Sequence, residues 1–261
     1  MLLTRVLSAL VLAPVAIFLI VVGGWALMGM LAIVLGIAAI EYVRLMHDGG
    51  FRPAAWIALI LIGALLVDAM RPQWRLAPAM ISLILIGSLT WQMAHRGAAA
   101  TADWALAVAG GLYLGWAGRS VIQIRAFDHG AAWLLVVLAG TWLADSGAYL
   151  VGVRWGRHKM APSLSPKKSW EGFIGGIAFG VMGNAVFAAA LGLPPLHGAM
   201  FGLIGATIGT LGDLSISMMK RQVGAKDSGH LIPGHGGALD RIDSLLFVAI
   251  AGYWYLTWFA H

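Results

Sequence analysis

Nine apolar runs divide this chain, at about 6 to 22, 25 to 40, 54 to 70, 76 to 92, 103 to 118, 131 to 153, 172 to 192, 197 to 214 and 244 to 260. Each approaches the ~20 residues that cross ~30 Å of hydrocarbon as a helix. A backbone in lipid must satisfy its own N–H and C=O groups, so serial runs of this length leave helices as the spanning form. Composition agrees, because 60% of the 261 residues are apolar and only 11% are charged, against about 25% charged in soluble domains. The 35 glycines suit helices that approach closely, and the 12 tryptophans suit the headgroup level. A water-soluble domain, a disordered chain and a disulfide-stapled scaffold are excluded. The absence of cysteine also removes thiolate catalysis and Cys-ligated zinc. The expected fold is an all-α polytopic integral membrane protein with about nine transmembrane helices.

Placing Lys and Arg in alternate loops orients these helices. Arg5, Arg44, Arg52, Arg96, Arg154, Arg157, Lys159, Lys167, Lys168, Lys220, Arg221, Lys226 and Arg241 fall on the side of the N-terminus, while Arg71, Arg75, Arg119 and Arg125 fall opposite. The split of 13 to 4 among the 17 basic residues makes the first side, and with it the N-terminus, cytoplasmic. Residues 1–130 read as anonymous N-terminal transmembrane helices. Residues 131–261 read as the C-terminal transmembrane region where function is to be sought, holding the dense polar segment 213–243. No internal repeat suggests inverted transporter halves.

In that segment, Asp213, Ser217, Lys220 and Arg221 stand at i, i+4, i+7 and i+8, one face of a helix if the eighth span continues to Arg221. Ile232-Pro-Gly-His-Gly-Gly237 then interrupts any helix. Its glycines offer backbone N–H groups that can cradle phosphate oxygens, although the sequence is not a Walker A loop. Asp240, Arg241 and Asp243 open the last span, where unpaired carboxylates are costly. Carboxylate oxygens are hard ligands suited to Mg2+, and Asp213 and Asp240 end successive spans on one side, placed to share an ion. The competing reading makes these charges salt bridges that close a cytoplasmic loop. His230 and His235 are five apart, a poor zinc pair.

Two further stretches carry polar chemistry. Ser165-Pro-Lys-Lys-Ser-Trp-Glu-Gly172 reads as a Pro-bounded loop placing two lysines and two hydroxyls before a helix start, as an anion site would. Asp145 lies within the sixth run, with Thr141 and Tyr149 one turn to either side; it is a functional candidate or else an interhelical hydrogen-bond partner of Tyr or Thr. Glu41, Arg44 and Asp48 read as an interfacial helix end.

The spacing Ser217-x-x-Lys220-Arg221-x4-Lys226-Asp227-x-Gly229-x-x-Ile232-Pro233-x-His235-Gly236-Gly237-x-x-Asp240-Arg241-x-Asp243 resembles the signature of phosphatidate cytidylyltransferases, also called CDP-diacylglycerol synthases. Asp145-x-x-Ala148-Tyr149 and the 165–172 stretch are similar to segments of the same family, so the resemblance covers about residues 141 to 243. Ala238 departs from it, standing where the family usually has a larger apolar residue.

The resemblance implies a multi-pass enzyme of a bacterial-type inner membrane, a homodimer, that condenses CTP with phosphatidate to give CDP-diacylglycerol and pyrophosphate. Asp213 and Asp240 would bind Mg2+, with Asp243 or Asp227 as additional carboxylates and a second cation possible. Lys220, Arg221, Lys226 and Arg241 would neutralise phosphates, His235 belongs to the same catalytic set, and the backbone at Gly234, Gly236 and Gly237 would orient the triphosphate. Asp145, Ser165, Lys167, Lys168 and Ser217 would bind substrate, and the active site would face the cytoplasm. Nucleic acid is not an expected partner.

A CDP-alcohol phosphotransferase is disfavoured because its Asp-Gly-x-x-Ala-Arg-x8-Gly-x3-Asp-x3-Asp pattern is absent. The non-enzymatic alternative is a membrane anion transporter or lipid flippase. Short outer loops and charges gathered on one face argue against a through-pathway.

Overall fold

The computed structural model describes residues 13–95, 97–229 and 236–260. Among the described residues, the apolar runs fall on helices: α1 (Ala13–Val22), the described part of the first run, then α2 (Gly24–Asp48), α3 (Ala55–Met70), α4 (Leu76–Ala94), α5 (Ala100–Ala126), α6 (Gly130–Trp155), α7 (Trp170–Ala190), α8 (Pro195–Gln222) and α9 (Leu239–Phe259). Seven of them, all but α1 and α3, are long and apolar enough to cross a membrane. The 16 residues of α3 extend only about 24 Å. The protein is therefore a multi-pass membrane protein built of helices.

One element breaks the all-helical expectation. Between α6 and α7, β1 (Lys159–Ala161) pairs antiparallel with β2 (Ser165–Ser169), with Lys159 opposite Ser169 and Ala161 opposite Ser165. The stretch read as a loop is thus a hairpin. Glu171 closes it by accepting the N–H groups of Arg157 (3.1 Å) and His158 (3.2 Å) and contacting His158 Nδ1 at 2.6 Å.

The chain forms two compact units. The first comprises residues 1–123 and 219–241, the second 124–218 and 242–261. In the first, Ile57, Leu61, Ala107 and Val108 form a core flanked by Ile84, Leu85 and Trp104. Buried polar side chains tie its helix ends. Asp68 accepts the N–H of Ala77 at the start of α4 (2.8 Å) and Arg119 Nε (3.1 Å), while Asp103 accepts the N–H of Arg52 (2.7 Å). These are the structural roles that buried carboxylates need in order to be tolerated.

The second unit is held by close helix contact. A Cβ on Gly202 of α8 would run into the carbonyl of Gly180 on α7, so these backbones touch where any side chain would separate them. Asn184 of α7, fully buried, donates through Nδ2 to the carbonyls of Val136 (3.2 Å) and Gly198 (3.0 Å), stitching α6, α7 and α8. Phe201, Val248 and Leu256 are fully buried in the same unit.

Candidate active site

The helix expected to reach Arg221 does so and stops at Gln222. It stops because Gly224 adopts φ +74°, letting its N–H bond to the carbonyl of Arg221 (3.1 Å) and that of Ala225 to Lys220 (2.9 Å). Lys220 thereby ends its helix with its side chain turned inward, only 8% of the residue exposed. Its Nζ lies 2.6 Å from Asp240 Oδ1.

Asp240, in the first turn of α9, is fully engaged. Its Oδ2 accepts the backbone N–H of Ser228 (2.7 Å), the hydroxyl of Ser228 (3.0 Å) and the N–H of Gly237 (3.2 Å). One carboxylate thus gathers both ends of the glycine-rich connection and a lysine. Gly236, with φ +79°, brings the chain so close that a Cβ there would stand 3.0 Å from Asp240 Oδ2 and 3.7 Å from Asp227 Cβ. The ion-pair reading of the polar segment is what the structure realises at Lys220 and Asp240. Gly237, expected to orient a triphosphate, gives its N–H to Asp240 here.

Glu41, read from the sequence with Arg44 and Asp48 as an interfacial helix end, is instead buried and completes this cluster. It projects from α2, is 4% exposed, and accepts the N–H groups of Ala238 (3.0 Å) and Leu239 (2.9 Å) and the hydroxyl of Ser228 (3.1 Å). Unlike Asp145, which lies inside an apolar run, Glu41 stands one residue past the end of one, where an acid reads as interfacial. Ser228 was unassigned, lying at a variable position of the signature.

A second charged group lies within the other unit. Lys168 Nζ on β2 is 2.8 Å from Asp213 Oδ2 on α8, with the two side chains 25% and 33% exposed. Ser217, one turn on, donates to Asp213 Oδ1 at 3.2 Å. Asp145 on α6 feels the charges of both Lys168 and Asp213. Thr141, one turn before it on α6, donates to the carbonyl of Val137 in its own helix.

Strand geometry separates the two lysines expected to act together. Neighbouring residues on a strand face opposite ways, and while Lys168 turns to Asp213, Lys167 is exposed. The next residue, Ser169, caps α7 by accepting the N–H of Gly172 at 3.2 Å. Ser165 sits at the far end of β2, opposite Ala161.

The remaining expected residues are more scattered. Arg221 donates to the carbonyl of Ala225 (3.0 Å), and Lys226, Asp227 and Arg241 are exposed. Asp243 accepts the N–H of Ser244 at 2.6 Å. Its backbone lies against α8, where a Cβ on Gly212 would stand 2.6 Å from the Asp243 carbonyl. His230, Gly234 and His235 lie outside the described residues.

Among the described residues no group of three or more His, Asp or Glu is gathered as a metal cage. The donor chemistry nevertheless suits a hard cation. Asp213 and Asp240 each hold a lysine ammonium against one carboxylate oxygen, so a positive charge is already accommodated at both positions. A divalent ion would take the place of the ammonium and release the lysine toward other anions.

A profile of the Cytidylyltransferase family matches residues 3–259. A Bacillus subtilis protein named phosphatidate cytidylyltransferase is 30% identical over 265 residues, covering 98% of this chain and 98% of that protein. One of the same name from Synechocystis sp. is 30% identical over 283 residues, covering 97% and 96%. One from Mycobacterium bovis is 42% identical over 131 residues, which is 50% of this chain but only 43% of the relative's length.

Proposed function

Because the chain belongs to the cytidylyltransferase family, we propose that it transfers the cytidylyl group of CTP to phosphatidate, giving CDP-diacylglycerol and pyrophosphate. A phosphate oxygen of phosphatidate, anionic near neutral pH, attacks the α phosphorus of CTP. The bond from that phosphorus to the oxygen leading to the β phosphate breaks, and pyrophosphate leaves. No strong base is needed. The demand is to bring two polyanions together and to neutralise the leaving group.

The observation that carries this reading is the Lys168–Asp213 pair, part-exposed and flanked by Asp145 and Ser217. A lysine held by a carboxylate at an accessible place is a cation that can be exchanged onto phosphate. Lys220 is a second lysine held by a carboxylate, here a buried one, with Arg221 and Lys226 near it in sequence and Arg241 beside Asp240. Asp213 and Asp240 would hold Mg2+, with Asp243 or Asp227 adding a carboxylate and with a second cation also taking part. Bound Mg2+ would neutralise the polyphosphate and stabilise the departing pyrophosphate.

The same reading places the protein in a bacterial inner membrane with nine spans, its N-terminus and active site on the cytoplasmic side, where CTP is found. The 13 to 4 partition of Lys and Arg supports that orientation. A homodimer, implied by the family, would show as twice the 27.6 kDa chain mass after correction for bound detergent. The decisive assay incubates the purified protein with isotope-labelled CTP, phosphatidate and Mg2+ and scores lipid-linked cytidine and pyrophosphate. Anion movement across proteoliposomes without CDP-lipid formation would overturn the assignment.

A further inference from the structure

Ala238 and Leu239 open α9, and the first N–H groups of a helix have no partner within it. Their acceptor is Glu41, which stands 197 and 198 residues earlier in the chain. Each carboxylate oxygen takes one of these N–H groups, and Oε2 also faces the Ser228 hydroxyl. Buried negative charge is well placed here, since the N-terminal end of a helix carries the positive end of its dipole.

Two signature glycines serve this same carboxylate. A Cβ on Gly229 would stand 2.8 Å from Glu41 Oε1, and one on Gly237 would collide with Glu41 Oε2 and the Ser228 hydroxyl. Ser228 has one hydroxyl proton and lies 3.1 Å from Glu41 Oε2 and 3.0 Å from Asp240 Oδ2. It therefore joins the two carboxylates. The link runs from Glu41 through Ser228 and the first turn of α9 to Asp240, and from there to Lys220.

We propose that Glu41 is a positioning residue for cytidylyl transfer: from the second helix it fixes the start of α9 and so aims the Asp240 carboxylate. This rests on the reading of Asp240 as part of the transfer site. Through Glu41, α2 thereby acts on the chemistry by way of α9 and Asp240 rather than by touching substrate itself.

The test is Glu41→Gln in the full-length protein. Glutamine keeps the size but turns one acceptor into a donor, so no orientation of its amide accepts all three hydrogen bonds. Amide exchange at Ala238 and Leu239 should accelerate by roughly 10- to 100-fold, the scale of losing hydrogen bonds to a charged group. Exchange at Ala77, held by Asp68, should not change. With labelled CTP, kcat should fall by roughly 10- to 100-fold while KM for CTP moves less than about 3-fold, as expected when a reacting geometry is loosened.

Asp68→Asn is the comparator. It removes another buried helix-capping carboxylate of the same unit, and it should lower Tm without a comparable fall in kcat. Should Glu41→Gln fail to fold, Ser228→Ala cuts the same link more gently, with an expected fall in kcat of about 3- to 10-fold. Wild-type kcat in a folded Glu41→Gln protein would overturn the proposal while leaving the transfer reaction intact. So would an equal loss in Asp68→Asn at an equal fall in Tm, or full activity in Ser228→Ala. Absence of CTP-dependent product from the wild-type protein would instead overturn the functional reading itself, and the positioning role with it.

Discussion

Lys220 spans a separation of 20 residues to place its Nζ 2.6 Å from Asp240 Oδ1, the two side chains being only 11% and 6% exposed. The pair encloses the polar connection between α8 and α9. Removing one partner leaves a buried charge, which typically costs 3–5 kcal/mol, whereas removing both is far less damaging. Lys220→Met and Asp240→Asn should each lower stability by about 2–4 kcal/mol, and the double variant by clearly less than their sum. Thermal unfolding in detergent, run as a double-mutant cycle, measures the coupling. Simple additivity would show that the pair contributes nothing.

Adjacent lysines on β2 should behave unequally. Lys168→Ala frees Asp213 from its cation and should reduce kcat/KM for CDP-lipid formation by roughly 100-fold, about 2.7 kcal/mol of transition-state stabilisation. Lys167→Ala, on the other face, should cost less than about 5-fold, in line with an exposed charge. Initial rates at varied CTP distinguish them. Equal losses would contradict the separation that the strand imposes.

Withdrawal of metal provides a third test. Chelation with EDTA should abolish product formation, and added Mg2+ should restore it. Asp213→Asn and Asp240→Asn should each stay at least about 100-fold below wild type at ordinary Mg2+. Full activity of Asp240→Asn under those conditions would remove Asp240 from the metal assignment.

Helix contact in the second unit can be probed by single methyl groups. Gly202→Ala sets a Cβ against the Gly180 carbonyl and should destabilise by about 1–3 kcal/mol. Gly29 has nothing within 4 Å of the same position, so Gly29→Ala should stay within about 1 kcal/mol of wild type. Paired melting curves decide the point, and equal Tm values would rule out close packing at Gly202.

Helix positions were legible because lipid-spanning runs announce themselves by length and apolarity. The end of α8 was only half legible: its apolar run stops at 214, the one-face spacing through Arg221 held only if the helix continued, and Gly224 supplies the actual stop. The β1–β2 hairpin was not legible. Ser165-Pro-Lys-Lys-Ser169 has no apolar alternation, and its pairing depends on a ladder to Lys159–Ala161 and on Glu171. Within the site, the signature spacing drew attention to Lys220 and Asp240, and the helical spacing to Ser217 drew attention to Asp213, because charges are scarce in so apolar a chain. Their partners were harder to see. Asp213 finds Lys168 on a neighbouring hairpin, and Glu41 finds donors at separations of 187 to 198 residues. Local sequence shows a buried acid but not the amide groups that will satisfy it.

The chain enters its first unit, leaves it after residue 123, returns for 219–241 and leaves again. The signature is therefore not a cassette that could be lifted out with the C-terminal helices. A fragment beginning at residue 124 would carry Ala238 and Leu239 into the membrane with their acceptor missing. Any split or grafted version of this protein must include α2, and, on the proposed function, co-expression of residues 1–123 with 124–261 should recover product that the second piece alone does not make. A change at Glu41 in the anonymous-looking α2 would therefore be felt nearly two hundred residues away, at the start of the last helix.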